Sequence, residues 1–432
     1  MPKKAKYDVV FWGHVNNGME RYLPIMAELN ALGIKSVLFY QNYDYSDGIA
    51  DFLKELIKKH NLCILDYSAY FKKDIILRII TMFVQSFKTL GIKKFYNKCI
   101  GLRSKIIKLK ITENNIRNIL IDLSPKLSFF DNIALREYVD YPYGSFFISK
   151  ISRELGIKSY SICTGGSSYL VEIDRIFKDS EKFNFDKIYV PNQDYEAKVY
   201  QARSFNPNAQ ITAFGDPRFD SNWKQAILDA YQKAVNKKIL KMKIKTKYKI
   251  IYLCPNIECI DAENQKYQNL QDVVEVCKAL SNITLLVKPH PRYRNEDTLK
   301  NIMKMNNFKD FRILDDDPLI CYQEYADLVV NFGTSAVNDV LPNSYKKVII
   351  YDNFFEDKAI KNIFKDDFSY FKKKQDLKDY IINILTNSRT ETSPDKLDKI
   401  KAFYRRWVCA NNNPESITKN IAWDIYNDLK TS

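Results

Sequence analysis

Residues 285–292 read LLVKPHPR and residues 326–336 read ADLVVNFGTSA. Each stretch is a short apolar run that stops at a loop, which is typical of a buried strand in a parallel sheet. Parallel strands end at the same edge of their sheet, so we expect the two loops to lie side by side. The first loop is basic and the second is small and rich in hydroxyls. Together they predict a site for a phosphate-bearing ligand.

The first loop carries Lys288, His290 and Arg292, which alternate with prolines. Because proline holds the backbone extended, alternate side chains leave the chain on the same side. Two cations and an imidazole that converge in this way favour binding of a phosphate or pyrophosphate. The alternative interpretation is a structural loop whose histidine hydrogen-bonds to the backbone.

The second loop carries Gly333, Thr334 and Ser335 and is followed by a helix predicted over 335–341. The start of a helix offers backbone N–H groups, and here also hydroxyls, to an anion. The alternative interpretation is that Thr334 or Ser335 simply caps the helix.

Strands alternate with helical patterns on both sides of these loops, and this alternation predicts parallel, doubly wound sheets. The predicted fold class is α/β, with two Rossmann-like domains. The predicted domains are an N-terminal one over 1–222, joined by a closing helix at 414–430, and a C-terminal one over 248–411. A basic helical stretch, 223–247, is the predicted linker.

The composition limits the classes of function. The chain has 432 residues and a net charge of +15, which favours an anionic partner. No nucleic-acid-binding motif accompanies the charge, so we expect no nucleic acid as a partner. Eight scattered cysteines and the absence of a secretory signal pattern predict a cytoplasmic protein with reduced thiols.

No metal ion and no cofactor are predicted. Cys254 and Cys259 form a poor zinc pattern because no second pair or nearby histidine accompanies them. Residues 315–317 are three aspartates followed by a proline, which we interpret as a solvated turn and helix N-cap rather than a metal site.

Residues 75–123 show a helical pattern that is apolar and basic at once. One interpretation is a set of amphipathic helices whose lysine stems cover a core. The other is a surface that rests on anionic lipid, which would make the protein peripheral on the inner face of the plasma membrane.

The candidate catalytic residues lie in the N-terminal half, after predicted strands. His14 could act as a general base, bind a phosphate or fix its loop. Asp131 and Glu172 are the carboxylates considered as base or nucleophile. The residues predicted to bind an acceptor are Asn16, Asn17, Gly165, Gly166 and Ser167.

Residues 215–220 read GDPRFD and are similar to the Gly-x-Pro-Arg-Phe-Asp element of bacterial capsule and surface-polysaccharide transferases. Together with the two loops, this element makes the chain resemble GT-B glycosyltransferases, a broad group that includes Kdo transferases and polymerases that use CDP-glycerol. The resemblance implies donor binding by the C-terminal domain, acceptor binding by the N-terminal one and an active site between them. The implied donor-binding residues are Gly215, Asp216, Arg218, Pro255, Asn256, Lys288, His290, Arg292, Gly333, Thr334, Ser335 and Asn338.

One position departs from the group. Many members place a glutamate shortly after the Gly-Thr/Ser element, where it binds the donor ribose. This chain has Asn338 there, followed by Asp339, which leaves the nucleotide open.

The predicted function is transfer of a sugar from a CMP-, CDP- or UDP-linked donor to a growing surface glycan, such as capsule or lipopolysaccharide, on a free or lipid-linked acceptor. The alternatives are a UDP-sugar epimerase or hydrolase of similar fold and a non-catalytic subunit of a polysaccharide assembly complex.

Overall fold

The structure is a computed structural model of the chain. The residues that it describes are 7–13, 16–40, 49–66, scattered positions between 79 and 102, 113–130, 145–162, 185–194, 196–197, 208–255, 267–280, 282–290, 296–332, 334–341, 347–352, 368–386 and 394–431.

The chain folds into two compact units. Unit 1 holds the described residues up to Asp220 and those from Cys409 onward, and unit 2 holds the described residues from Ser221 to Val408. Each unit is built on its own parallel sheet. Two Rossmann-like α/β units were predicted, and this prediction of the fold class is confirmed.

The described part of unit 1 contains a seven-stranded sheet in the order β3-β2-β1-β4-β5-β6-β7, with every neighbouring pair parallel. The strands are β1 (Val9–Gly13), β2 (Ser36–Tyr40), β3 (Ile64–Asp66), β4 (Leu127–Phe130), β5 (Lys158–Ile162), β6 (Lys187–Val190) and β7 (Gln210–Ala213). The helices of this unit are α1 (Asn16–Ala31), α2 (Asp51–Lys59), α3 (Glu113–Leu123), α4 (Ser145–Glu154) and, at the C-terminus, α10 (Ile417–Lys430).

The strands β1 and β4 at the centre of the unit 1 sheet are buried along their whole length because both faces of the sheet are covered. Every residue of β1 is buried, and so is every residue of β4. The Phe11 ring packs against Tyr22 of α1 and against Phe129 of β4, with centroids 5.1 and 5.0 Å apart. The Tyr22 hydroxyl donates to the Trp12 carbonyl at 3.1 Å, so the buried phenol keeps a polar partner. This packing fixes α1 on the sheet next to the end of β1.

The GDPRFD element forms a tight turn after β7. Gly215 has φ +103°, a conformation that favours glycine. Asp216 caps the 3-10 turn Pro217–Phe219 by accepting the Arg218 N–H at 3.1 Å. Its other carboxylate oxygen lies 2.8 Å from Nη2 of Arg21 in α1, and the two side chains are only 3% and 1% exposed. The turn is therefore joined to α1 by a buried ion pair.

Two further contacts make the same element a junction within unit 1. Arg218 pairs with Glu20 of α1, Nε to Oε2, at 2.6 Å. Asp220 accepts from the backbone N–H and the hydroxyl of Thr418, at 3.1 and 2.9 Å, in the first turn of α10. The carboxylate thus satisfies one of the N–H groups that a helix start leaves without intrahelical partners.

A buried lysine also holds the C-terminal helix on unit 1. Lys187 of β6 pairs with Asp424 of α10 at 2.8 Å and with Asp428, and its side chain is 5% exposed. The Tyr189 hydroxyl donates to Asp424 and the Tyr160 hydroxyl donates to Asp428, each at 2.6 Å. Burial, together with the neighbouring carboxylates, raises the pKa of both phenols, so they stay protonated donors. The cluster compensates the cost of burying the lysine charge.

The described part of unit 2 contains a six-stranded sheet in the order β10-β9-β8-β11-β12-β13, again parallel throughout. The strands are β8 (Tyr248–Leu253), β9 (Ile283–Lys288), β10 (Phe311–Ile313), β11 (Leu328–Asn331), β12 (Lys347–Tyr351) and β13 (Ser369–Phe371). The helices are α5 (Ser221–Lys241), α6 (Gln268–Ala279), α7 (Glu296–Met305), α8 (Lys374–Thr386) and α9 (Pro394–Trp407).

Helix α5 covers most of the predicted linker and belongs to unit 2. It packs on the 3-10 segment Leu319–Tyr325, which follows β10. One face of the helix is buried at the spacing expected for an amphipathic helix, through Trp223, Lys224, Ile227, Tyr231 and Val235. Among the helices that the structure describes, none is both long and apolar enough to cross a membrane.

Replacing Asp216 with asparagine tests the buried ion pair. The variant keeps an oxygen that can cap the turn but leaves the Arg21 charge without its carboxylate. We expect a loss of about 3–5 kcal/mol in the free energy of unfolding, measured by urea denaturation. Asp51→Asn is the control, because Asp51 pairs with Lys54 at the surface, where the side chains are 77% and 55% exposed. Its loss should stay below about 1 kcal/mol, and equal losses in the two variants would contradict the assignment.

Candidate active site

The strand order of unit 2 places a topological switch point between β8 and β11. From β8 the chain proceeds to β9 and β10 on one side of the sheet, and then to β11, β12 and β13 on the other. Ligands of open α/β sheets bind outside the carboxyl ends of the strands at such a point. The loops that follow β8, β9 and β11 therefore define the candidate site of this unit.

The pairing register brings the ends of these three strands into one row. Leu253 of β8 is the partner of Lys288 on one side and of Asn331 on the other. The next residues along the three strands are Cys254, Pro289 and Phe332. The two stretches that were predicted to lie side by side are thus separated by a single strand, β8.

Lys288 is engaged within unit 2. Its ammonium donates to the backbone carbonyl of Asp315 and, at 2.9 Å, to that of Asp317. These bonds tie the end of β9 to the turn after β10. His290, two residues further on, is partly exposed, and Arg292 lies outside the described residues. The role predicted for all three in phosphate binding stays a prediction.

Asp317 has a role that the sequence did not reveal. It is 5% exposed, so the interpretation of this residue as part of a solvated turn was wrong. Lys238 of α5 donates to both carboxylate oxygens, at 2.7 and 2.8 Å. Tyr322 and Tyr231 donate their hydroxyls to it at 2.6 and 3.0 Å. Asp317 therefore fixes α5 to the turn that also holds Lys288.

The pKa of Asp317 follows from this arrangement. Burial pushes the pKa up, but the hydrogen bonds from Lys238, Tyr322 and Tyr231 outweigh burial, so the pKa lies below its ordinary value. For Lys238, burial is the largest single effect and favours the neutral amine, but the hydrogen bond and charge of Asp317, with Tyr231 and Asp315, together outweigh it and raise the pKa. Both groups are therefore charged at neutral pH.

The loop after β11 is capped from within. Thr334 accepts the Ala336 N–H at 3.2 Å through its hydroxyl and donates its own N–H to Asn331 Oδ1, also at 3.2 Å. The helix predicted over 335–341 is a 3-10 turn, Ser335–Asp339. Such a short turn lacks the aligned peptide dipoles of a longer helix, so the helix-dipole basis of the predicted anion site is weaker than expected. Gly333 and the Ser335 side chain lie outside the described part of the chain.

Asn338 and Asp339 face helix α5. Asn338 is fully buried, and its carbonyl accepts from the Lys224 ammonium at 2.9 Å. Asp339 Oδ1 lies 3.6 Å from the same ammonium. The charge of the Asp339 carboxylate is therefore compensated by the buried Lys224.

Cys254 and Asn331 lie at the candidate site, and the sequence alone did not assign either of them to it. Burial raises the pKa of the Cys254 thiol to about 12, against a smaller opposite effect of the Lys288 charge, so the thiol is protonated at neutral pH. Asn331 ends the otherwise apolar strand β11 and is fully buried. Its position at the end of an apolar run was the sequence signal that could have identified Asn331.

Of the two donor-binding residues predicted after β8, Pro255 is buried and Asn256 lies outside the described residues.

The predicted donor residues in the GDPRFD element belong to unit 1. Asp216 and Arg218 form the ion pairs with Arg21 and Glu20 described above, and Gly215 provides the turn. These contacts account for the element without a ligand. Its role in donor binding stays a prediction.

Unit 1 has its own switch point between β1 and β4. These strands end at Gly13 and Phe130, directly before His14 and Asp131 in the sequence. Several predicted residues of this unit lie outside the described residues, namely His14, Asp131, Gly165, Gly166, Ser167, Glu172 and the side chains of Asn16 and Asn17.

Among the residues that the structure describes, no group of three or more His, Cys, Asp and Glu side chains could hold a metal ion. The predicted independence from metals stays a prediction.

No family model and no curated protein matches the sequence. Solved structures do match its fold. A Listeria monocytogenes protein assigned as a UDP-N-acetylglucosamine 2-epimerase aligns with a TM-score of 0.61 at 12% identity, over 99% of this chain and 98% of its own. The UDP-GlcNAc 2-epimerase from Neisseria meningitidis, bound to UDP-GlcNAc, aligns with a TM-score of 0.59 at 11% identity, over 97% of this chain and 99% of its own.

The UDP-GlcNAc 2-epimerase from Methanocaldococcus jannaschii, in complex with UDP-GlcNAc and UDP, gives a TM-score of 0.56 at 12% identity, over 97% of this chain and 99% of its own. At such low identity the likeness establishes the fold, which is of the GT-B type with two Rossmann-like domains. None of these three is a Kdo transferase or a CDP-glycerol polymerase, so the narrower resemblance stays a prediction.

The charge state of Asp317 predicts a pH dependence of stability. Because the folded pKa is lowered, its ion pair stabilises unit 2 above the ordinary aspartate pKa and is lost as the pH falls through the folded value. Asp317→Asn should lower the free energy of unfolding by about 1–3 kcal/mol at pH 7. The variant should also lose less stability than the wild type between about pH 5 and pH 3. Denaturation at a series of pH values measures both effects, and Asp316→Asn, at an exposed neighbour, is the control.

Proposed function

We propose that the protein is a nucleotide-sugar-dependent glycosyltransferase whose unit 2 binds the donor at the carboxyl ends of β8, β9 and β11. The observation that supports this most is the register that aligns Lys288, Leu253 and Asn331 in one row at the switch point. The buried thiol of Cys254 follows β8, the basic loop follows β9, and the buried amide of Asn331 ends β11. The GT-B-type fold supports the same choice, because nucleotide sugars are the ligands of the two epimerase complexes that share it.

In the proposed donor complex, His290 and Arg292 contact the phosphate or diphosphate of the donor. Lys288 fixes the start of their loop, since its ammonium donates to the backbone carbonyls of Asp315 and Asp317. Positive groups held around the phosphates stabilise the charge that develops on the departing nucleotide. In this proposal His290 and Arg292 take the place of a metal ion at the phosphates, while Lys288 holds the end of β9 in position.

The proposed donor is linked to CMP, CDP or UDP. Asn338 is fully buried, and the neighbouring Asp339 pairs with Lys224, so carboxylate recognition of the ribose has no support at these two positions. Main-chain groups after β8, together with Thr334, are the proposed contacts of the nucleoside.

Unit 1 supplies the acceptor site in this proposal, and the acceptor is a growing surface glycan, free or lipid-linked. His14, Asp131 and Glu172 are the candidates for the general base that deprotonates the acceptor hydroxyl. His14 and Asp131 follow β1 and β4 directly in sequence, and these are the two strands that flank the switch point. Asn16, Asn17, Gly165, Gly166 and Ser167 complete the proposed acceptor site.

Epimerisation of a UDP-sugar is the second candidate function. It is favoured by the activities of the two epimerases whose solved structures align over nearly the whole chain. Against it, three carboxylates that follow strands of unit 2 already have partners, since Asp317 binds Lys238, Asp339 pairs with Lys224 and Asp352 accepts the Tyr370 hydroxyl. Acid-base chemistry at C2 of a sugar needs groups that can exchange protons, whereas a donor site needs only to bind and stabilise.

A nucleotide screen tests the proposed function. We expect CMP, CDP or UDP to raise the melting temperature, whereas GDP should have little effect, because a ligand that binds the folded state stabilises it. His290→Ala should weaken the binding of the preferred nucleotide about tenfold, as expected for the loss of one charge-assisted hydrogen bond. His60→Ala is the matched control, because His60 ends helix α2 in unit 1. The absence of a shift with every nucleotide would refute the proposal.

A second measurement separates the two candidate reactions. The wild-type protein is incubated with UDP-GlcNAc in the absence of an acceptor, and the sugar is followed by NMR. A transferase leaves the C2 configuration unchanged, whereas an epimerase produces the C2 epimer. The appearance of that epimer would replace the transferase proposal with the second candidate.

A further inference from the structure

A group of large apolar side chains is exposed in one short region of unit 1. Within the described positions between 79 and 102, these side chains are Ile79, Met82, Phe83, Leu90, Ile92, Phe95 and Leu102, which are 41–67% exposed. The described residues outside this region show four such side chains, at scattered places, namely Ile121, Leu240, Met305 and Trp423. A contiguous set of exposed apolar residues is typical of an interaction surface.

The exposed side chains follow a helical repeat. The described residues from 79 to 87 are helical, and Ile79, Met82 and Phe83 lie at positions i, i+3 and i+4 on one face. Ile80, which points elsewhere on the same helix, is 7% exposed. A surface helix normally turns its apolar stripe to the core and its polar face to water. Here a second apolar stripe is left on the outside.

The aromatic rings of this region pack on one another. The Phe83 and Phe87 rings are stacked with centroids 6.1 Å apart, and the Phe87 and Phe95 rings with centroids 5.5 Å apart. Phe83 and Phe95 remain about half exposed, at 51% and 54%. The rings therefore form one surface rather than separate side chains that point in different directions. We name Ile79, Met82, Phe83, Leu90 and Phe95 the apolar face.

The charge of the same segment is of a single sign. Residues 75–112 contain nine lysines and arginines and no aspartate or glutamate, so this segment accounts for more than half of the net charge of +15. Lys98, which is described, is exposed. Apolar side chains flanked by basic ones are what an interfacial segment presents to anionic lipid.

We propose that the apolar face docks on the surface of an anionic lipid bilayer. Met82, Phe83 and Leu90 enter the boundary between headgroups and acyl chains, while the surrounding lysines and arginines contact the lipid phosphates. A second copy of the chain is a less suitable occupant, because pairing this segment with itself would bring like charges together without a carboxylate to compensate them. The proposal does not depend on which reaction the protein catalyses.

Vesicle binding tests this proposal on the full chain. Purified protein is mixed with vesicles of phosphatidylcholine alone, or of phosphatidylcholine and phosphatidylglycerol in equal parts, and the bound fraction is measured by flotation. We expect binding to the anionic vesicles only, and the binding should decrease as NaCl is raised. Equal binding to both kinds of vesicle, or no binding to either, would overturn the proposal.

Substitutions on the apolar face test its apolar component. The double variant Met82→Gln with Phe83→Gln should lower the partition coefficient on anionic vesicles at least about tenfold, because two apolar side chains no longer enter the bilayer. The matched control is Leu240→Gln with Met305→Gln, at two exposed apolar residues in unit 2 that are 77% and 68% exposed. An unchanged melting temperature establishes that the variants fold. Equal partitioning of test and control variants would refute the assignment.

Charge reversal tests the basic component. Lys94→Glu with Lys98→Glu should also lower the partition coefficient at least about tenfold, since each basic residue near an anionic surface contributes on the order of 1 kcal/mol. Lys278→Glu with Lys309→Glu is the control, because it makes the same change in net charge at exposed positions of unit 2.

Analytical ultracentrifugation of the wild type and of the apolar-face variant completes the test. The bilayer proposal fails if the wild type is a dimer that does not bind vesicles and the double variant of Met82 and Phe83 is a monomer. In that case the apolar face binds a second copy of the chain.

Discussion

The buried ion pair between Arg21 and Asp216 is the interaction on which unit 1 depends. Its side chains are 1% and 3% exposed, so neither charge has water to compensate it if the other is removed. The pair joins the helix after the first strand to the turn after the last one. Asp220, in the same turn, holds the start of the C-terminal helix through Thr418. A segment of six residues thus organises elements from the beginning, the middle and the end of the sequence.

Unit 2 also contains a buried carboxylate that pairs with a basic side chain on a distant helix. Asp317 gathers a lysine and two tyrosine hydroxyls, and its neighbouring backbone carbonyls hold Lys288. In both units a buried carboxylate lies in a turn that follows a parallel strand, and its partner lies on a helix distant in sequence. Because a buried charge without a partner is costly, such pairs fix one arrangement of helix and turn. The rigidity that they give to the carboxyl edge of the sheet suits a binding site, which must hold its groups in place.

Several of the basic and acidic residues near the candidate site form contacts that stabilise the fold. Residues chosen for their charge, such as Asp216, Arg218 and Lys288, have partners within the protein. The observed contacts of these charges lie within the fold, and their predicted role in donor binding stays a prediction. The segment 75–112 is different, because its positive charges are not interspersed with carboxylates and seven of its described apolar side chains are exposed. Charge there is suited to an external partner.

The sequence by itself determined the two Rossmann-like halves, because continuous apolar runs alternating with helical patterns leave few other arrangements. It also located the strands β9 and β11, because each is a short apolar run that stops at polar or small residues. It could not determine that Asp317 is buried, because three adjacent aspartates look like a solvated turn until Lys238, Tyr231 and Tyr322 are brought to them from other elements. Nor could it show that Thr334 caps a short 3-10 turn or that Lys288 bonds to carbonyls after β10. Those contacts join residues that are distant in sequence or depend on local backbone geometry, and only the tertiary structure decides them.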